Sequence, residues 1–139
     1  MVKTFAAQLK DIEALLTKEM QFVASESVQD VMEGAQTPQQ GITAGGSGFV
    51  EGKIPVAEAE LINSLEVDGA SGKDAYVVAI AGMEIGGVQR FTWTAPHAMP
   101  MEVGFTAENG TQVPGRFFVS RNAERFSEFV EKNVKRLRR

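Results

Sequence analysis

The sequence predicts an α+β fold, a long N-terminal amphipathic helix and a C-terminal helix flanking a small antiparallel β-sheet. Three observations carry that expectation. Apolar residues recur at helical spacing from the start of the chain, short strand-like stretches separated by Gly-rich turns fill the middle, and a second helical stripe closes it. Helix, strands, helix in that order is the pattern of an α+β layout. At 139 residues, 43% of them hydrophobic, the chain suffices for a single domain over 1–139. A domain of that length buries roughly 65–70% of its unfolded surface.

The first helix is expected from Thr4 to about Glu33. Phe5, Leu9, Ile12, Leu16, Met20, Val23, Val28, Val31 and Met32 share a face, with mostly polar residues between them. Thr4 is a good N-cap and Gly34 a plausible stop. Such a helix spans ~40 Å, more than the core of a domain this size can cover. Part of its stripe is therefore expected to pack on another copy or partner, and Phe5, Leu9, Ile12 and Leu16 are its candidate interface residues.

Residues 35–53 are rich in Gly, Gln and Thr and lack periodicity, which predicts a flexible loop. A loop that long tends to be functional or to order on contact. Ile54 to Leu65 reads as a connector, Leu65-Glu66-Val67 as a strand, and Asp68 to Gly72 as a turn. Asp74 to Ala81, Val88 to Thr94 and Met101 to Thr106 read as strands, with Asn109-Gly110 supplying a hairpin turn. Pro96 and Pro100 predict an extended, irregular segment at a sheet edge. In it Met99 and Met101 are candidates for filling uneven partner surfaces. Ser120 or Asn122 opens the last helix, whose stripe is Phe126, Phe129, Val130, Val134 and Leu137.

Chemistry is sought and not found. The chain has no cysteine and one histidine, which removes disulfides, thiolate metal sites and cysteine nucleophiles. His97 lies between two prolines with no carboxylate nearer than Glu102, a poor setting for a catalytic base. Gly52-Lys53 lacks the first glycine and the Ser or Thr of a phosphate-binding loop, and Gly46-x-Gly48 lacks the third glycine of the dinucleotide fingerprint. Glu58 and Glu60 read as a solvated edge rather than a catalytic pair. Asn109-Gly-Thr111 reads as a turn rather than a glycosylation site. No catalytic residue, cofactor or metal is expected.

Net charge is −4, unevenly distributed. The last eight residues, KNVKRLRR, hold five positive charges and no acid, leaving 18 acids against 9 bases in residues 1–131. An acidic body argues against general nucleic-acid binding. Lys132, Lys135, Arg136, Arg138 and Arg139 first of all complement a helix C-terminus, and are the candidates for contact with nucleic acid or an acidic partner. The longest apolar run, Tyr76 to Ala81, is far short of the ~20 residues of a membrane span, and no signal-peptide pattern is seen. A soluble protein made in a cytosol is expected.

Two segments carry a resemblance. Pro55, Val56, Leu61 and Ser64 fall in register with a Pro-Val-x-Thr-Gly-x-Leu-x-x-Ser segment, with Glu58 and Ala59 in place of Thr-Gly. Met101-Glu102-Val103-Gly104 is followed by Pro114-Gly115-Arg116-Phe117-Phe118 and then by a helix. In that order the chain resembles the lambda Z-like neck and tail-completion proteins of long-tailed bacteriophages, although the tyrosine of the second segment is absent. The resemblance implies a structural virion protein without enzymatic activity, assembled in the host cytoplasm. Its copies would form a ring, expected to be hexameric, between head connector and tail tube, with Phe117 and Phe118 added to the interface. Genomic DNA would cross the opening without sequence-specific binding, and no membrane would be involved. The alternatives are a tail terminator capping the tube, or a non-viral module that binds a small ligand or peptide under the 35–53 loop.

Overall fold

The first helix, α1 (Phe5–Ala35), runs for 31 residues in the computed structural model, which describes residues 2–40, 51–56 and 59–138. Its start is the expected one: the Thr4 hydroxyl accepts a hydrogen bond from the Ala7 amide at 3.1 Å. Its end is not. The helix passes through Gly34 and stops at Ala35, with Gln36 as cap. Gly34 serves close packing instead, since a methyl group there would overlap the Asn122 side-chain amide.

Among the described residues, three small sheets follow where one was expected. Strand β1 (Pro38–Gln40) pairs in parallel with β2 (Ile54–Val56). The expected loop at 35–53 thus begins with a helix end and a strand, and its centre, residues 41–50, lies outside the described residues. A short helix, α2 (Glu60–Asn63), leads into β3 (Leu65–Val67). As its alternation predicts, β3 buries Leu65 and Val67 and exposes Glu66. It is the centre of an antiparallel sheet, between β4 (Ala70–Ser71) and β5 (Thr92–Trp93). Asp68 and Gly69 make the β3–β4 turn at φ of 49° and 82°. The last pair, β6 (Gly104–Thr106) with β7 (Gln112–Pro114), is a hairpin. In its turn Gly110 has φ 85° and the Thr111 amide bonds Asn109 Oδ1 at 3.0 Å, as Asn-Gly predicts.

Four strand or loop expectations are corrected. Asp74 to Ala81 is not a strand but helix α3 (Ala75–Ala81), which buries Tyr76 and Ile80, four apart, and exposes Val77 and Val78. A short apolar run does not distinguish the two periods. Of Val88 to Thr94 only Thr92 and Trp93 form a strand. The proline-flanked segment is helix α4 (Ala98–Val103), so Met101 to Val103 is helical too. Pro100 sits in its first turn, where the missing amide hydrogen has no helical acceptor to lose. The last helix is two, α5 (Ser120–Glu124) and α6 (Phe126–Leu137), divided at Arg125.

Among the described residues, two apolar clusters form the core. Ile54, Leu61, Ile62, Ala95 and Phe118 make one, and Met32, Leu65, Tyr76 and Ile80 the other. Trp93 touches both. Its ring meets Phe118 edge-on at 5.4 Å, and its Nε1 donates to Gln36 Oε1 at 2.8 Å. Gln36 Nε2 in turn donates to the Ile62 and Lys73 carbonyls, both at 2.9 Å. A fully buried side chain such as Phe118 or Leu65 contributes about 1.5–3 kcal/mol. The Gln36 bonds satisfy polar groups whose burial would otherwise be costly.

Candidate functional site

One face of α1 is the candidate site, because its two halves meet different surroundings. Toward the C-terminus it packs on α6, and the contacts fix an antiparallel register. Asn133 is fully buried and donates to Ser27 Oγ and Asp30 Oδ2, both at 3.1 Å. Lys132 pairs with Asp30 at 2.8 Å and Arg136 with Glu26 at 3.6 Å, while the Arg136 guanidinium lies 5.3 Å from the centre of the Phe22 ring. Further along α6, Val134 and Leu137 reach the level of Met20 and Val23.

There α6 ends and α1 continues. From Phe5 to Met20 the helix extends about 22 Å beyond the end of α6. Phe5 is 75% exposed, and Leu9, Ile12, Leu15, Leu16 and Met20 are each between 50% and 57% exposed. Taking 100° per residue, Phe5, Leu9, Ile12, Leu16, Met20 and Val23 lie within an arc of about 80°. The bare stripe is thus the continuation of the one α6 covers. The two meet at a groove of about 480 Å³, walled by Met20 and Val23 on one side, Phe126, Val130 and Val134 on the other, with Ile85 at its edge. Gln21 holds that edge in place: its Nε2 donates to the Met83 carbonyl, and its Oε1 accepts from the Ile85 amide at 2.9 Å.

The other expected interface residues separate. Met99 is 68% exposed on α4. Met101 packs against the first core cluster, Phe117 is half-buried at φ 50°, and Phe118 lies inside the core with no surface to offer. The Pro-x-x-Phe segment thus places its second phenylalanine in the monomer core, where Trp93 and Ile54 surround it. Of the basic residues, Lys132 and Arg136 are engaged with α1, Lys135 and Arg138 are exposed, and Arg139 lies outside the described residues.

Glu102 is buried for a reason its sequence neighbours do not reveal. Its carboxylate accepts from the Val119 amide at 3.0 Å, the Ser120 amide at 2.9 Å and the Ser120 hydroxyl, capping α5 from another element. His97 is the N-cap residue of α4 and makes no side-chain cap bond.

A second, polar cleft of about 630 Å³ lies where Gly34 and Thr37 approach Gly52, Lys53, Arg121 and Arg125. Arg121 pairs there with Glu51 at 2.8 Å, and Arg125 with Glu128 at 3.2 Å. Those bonds raise the pKa of both guanidiniums and hold the Glu128 carboxyl below its usual range. Among the described residues no cluster of His, Asp and Glu could hold a metal ion, and no helix is long and apolar enough to cross a membrane. In comparisons with known proteins, no family model, curated protein or solved structure matches the chain.

Proposed function

We propose that the protein is a structural assembly subunit that works by being packed against other chains through the apolar face of α1. The observation that carries this reading is the run from Phe5 to Met20, six large apolar side chains half or more exposed on one projecting helix, all but Leu15 on a single stripe. Single exposed leucines are ordinary, whereas a continuous apolar stripe marks an interaction surface. The resemblance in residues 55–64 and 101–118 supplies the setting, a ring subunit joining head connector to tail tube in the neck of a long-tailed bacteriophage. The acidic excess in residues 1–131 suits a lumen that repels phosphate and lets DNA slide. In this reading the protein is not an enzyme and carries no cofactor.

Mixing the purified full chain with connector complexes and tail tubes, and imaging the products, tests the proposal. Ring-shaped density at the head-proximal end of the tube is the expected result. Density that ends the tube without joining a connector would make the protein a terminator, and a chain that never associates with either would overturn the assembly reading.

The apolar groove between α1 and α6 favours a second reading, a module that binds a small ligand or peptide. Of the segment expected as a lid, the described residues Thr37, Gly52 and Lys53 line the separate polar cleft. A ligand-dependent rise in melting temperature of the isolated chain would support that reading.

A further inference from the structure

The tip of the β6–β7 hairpin carries chemistry that the assembly reading does not use. We propose that Asn109 is a self-modification site. Its side-chain amide is lost to attack by the Gly110 backbone nitrogen, giving aspartate and β-linked isoaspartate and opening the hairpin.

Glu108, Asn109 and Gly110 are all exposed, and among the described residues β6 and β7 pair with each other alone, as a two-stranded sheet. A lone hairpin is marginally stable, and its tip belongs to the part of a protein that opens most easily. When closed, the turn is held by the Gly110 amide donating to the Ala107 carbonyl and the Ala107 amide donating to the Thr111 carbonyl, both at 2.8 Å. The Thr111 amide donates to Asn109 Oδ1 at 3.0 Å. That bond fixes which end of the side-chain amide faces the turn. Asn109 Nδ2, the group that must leave, has no hydrogen-bond partner among the described residues.

The reaction needs only water. As the turn opens, the Gly110 nitrogen is released from the Ala107 carbonyl, gives its proton to solvent base and bonds to Asn109 Cγ. The Cγ–Nδ2 bond then breaks, and ammonia departs with a proton taken from water, leaving a cyclic succinimide. Water opens that ring at either carbonyl. One opening restores the ordinary linkage as aspartate, and the other routes the main chain through Cβ and Cγ as isoaspartate. In sum, an amide and a water become a carboxylic acid and ammonia, with no change of oxidation state. A side chain at position 110 would crowd the attacking nitrogen, and glycine has none.

The other three asparagines of the chain lack this combination. Asn122 and Asn133 are buried within helices, and their Nδ2 atoms donate to Gly52 and Phe118 and to Ser27 and Asp30, respectively. Asn63 is exposed, but the following residue is Ser64, whose amide donates to the Leu61 carbonyl at 3.1 Å. At Asn109, isoaspartate lengthens the main chain of the turn by a methylene and adds a negative charge beside Glu108, so the bonds that close the turn no longer meet. The base of the hairpin is held separately, by the Arg116 amide on the Met101 carbonyl at 2.8 Å and the Phe117 amide on the Glu102 carbonyl at 3.0 Å. The change is therefore confined to the tip.

Incubating the full chain at mildly alkaline pH tests this, with peptide mass spectrometry and isoaspartyl methyl-transfer labelling of samples withdrawn over time. Asn109 is expected to gain the mass difference between an amide and an acid, and to take the label, before Asn63 does, while Asn122 and Asn133 keep their amides. Unfolding in urea should speed the loss at Asn109 by only roughly 3- to 10-fold, because the tip already opens in the folded chain. Deuterium exchange at the Ala107 amide should be faster in the aged chain than in fresh Asn109→Asp, which carries the same charge on an unlengthened backbone. An Asn109 amide that survives in the folded chain while the urea-unfolded chain loses it overturns the proposal, as does earlier loss at Asn63. Equal exchange at Ala107 in the aged chain and in Asn109→Asp overturns the opening of the hairpin.

Discussion

The two halves of α1 share one helix and one apolar stripe, yet from Ser27 to Ala35 the helix is built into the body while from Phe5 to Met20 it stands clear. What differs is the neighbour. The inner half meets α6 through Asn133, Lys132 and Arg136, and meets α3 through Tyr76 and Ile80. The outer half meets none of these because α6 stops at Leu137. Amphipathic spacing states that a face will be covered and is silent on whether the cover belongs to the same chain.

Substitution can break this contrast. The largest effect is expected in the inner half, where Met32→Ala should lower unfolding free energy by about 2–5 kcal/mol in urea titration, because Leu65, Tyr76 and Ile80 surround that side chain. Next comes Asn133→Ala, expected to cost about 1–3 kcal/mol by leaving the Ser27 hydroxyl and part of the Asp30 carboxylate without their buried donor. A cost below a few tenths would mean that α6 is not what secures the inner half.

Alkaline titration sharpens the same comparison more gently. Burial, then the charges of Glu33 and Asp74, raise the Tyr76 phenol above its ordinary value. The folded state then holds its proton at a pH where the unfolded chain has lost it. Stability from this group is full below the unfolded pKa near ~10 and declines as pH rises through the folded one. Tyr76 is the sole tyrosine, so phenolate absorbance reports it alone and should appear at higher pH than in urea. The smallest effect belongs to the outer half: in dilute monomer, Leu9→Ser should alter stability by no more than about 0.5 kcal/mol.

What could be read from the sequence was local. Thr4 and the apolar spacing revealed α1, Leu65-Glu66-Val67 its half-buried strand, and Asn109-Gly110 its hairpin, because in each the deciding contacts lie within a few residues. Asp74 to Ala81 was misassigned since the β-branched residues of its short apolar run suit either period, and packing against α1 decided for helix. Pro100 misled because its position in the first turn depends on where the helix begins. The β1–β2 pairing, the capping of α5 by Glu102 and the Asn133 network join residues 16 to 106 apart, and no nearby pattern announces them. Of the candidate site, the sequence revealed the stripe and its excess length. It did not reveal where α6 ends, and hence which part stays bare.

The overhang also has a consequence for the helix itself. A segment of about 16 residues with no tertiary support is near the limit at which helix and coil balance in water, whatever its capping. Its amides should therefore exchange with deuterium far sooner than those of Ser27 to Ala35, through openings that leave the body intact. Anything that clasps Phe5 to Met20 must also hold that segment wound, so part of its binding strength offsets ordering, and slowed exchange along these residues becomes a sensitive report of occupancy.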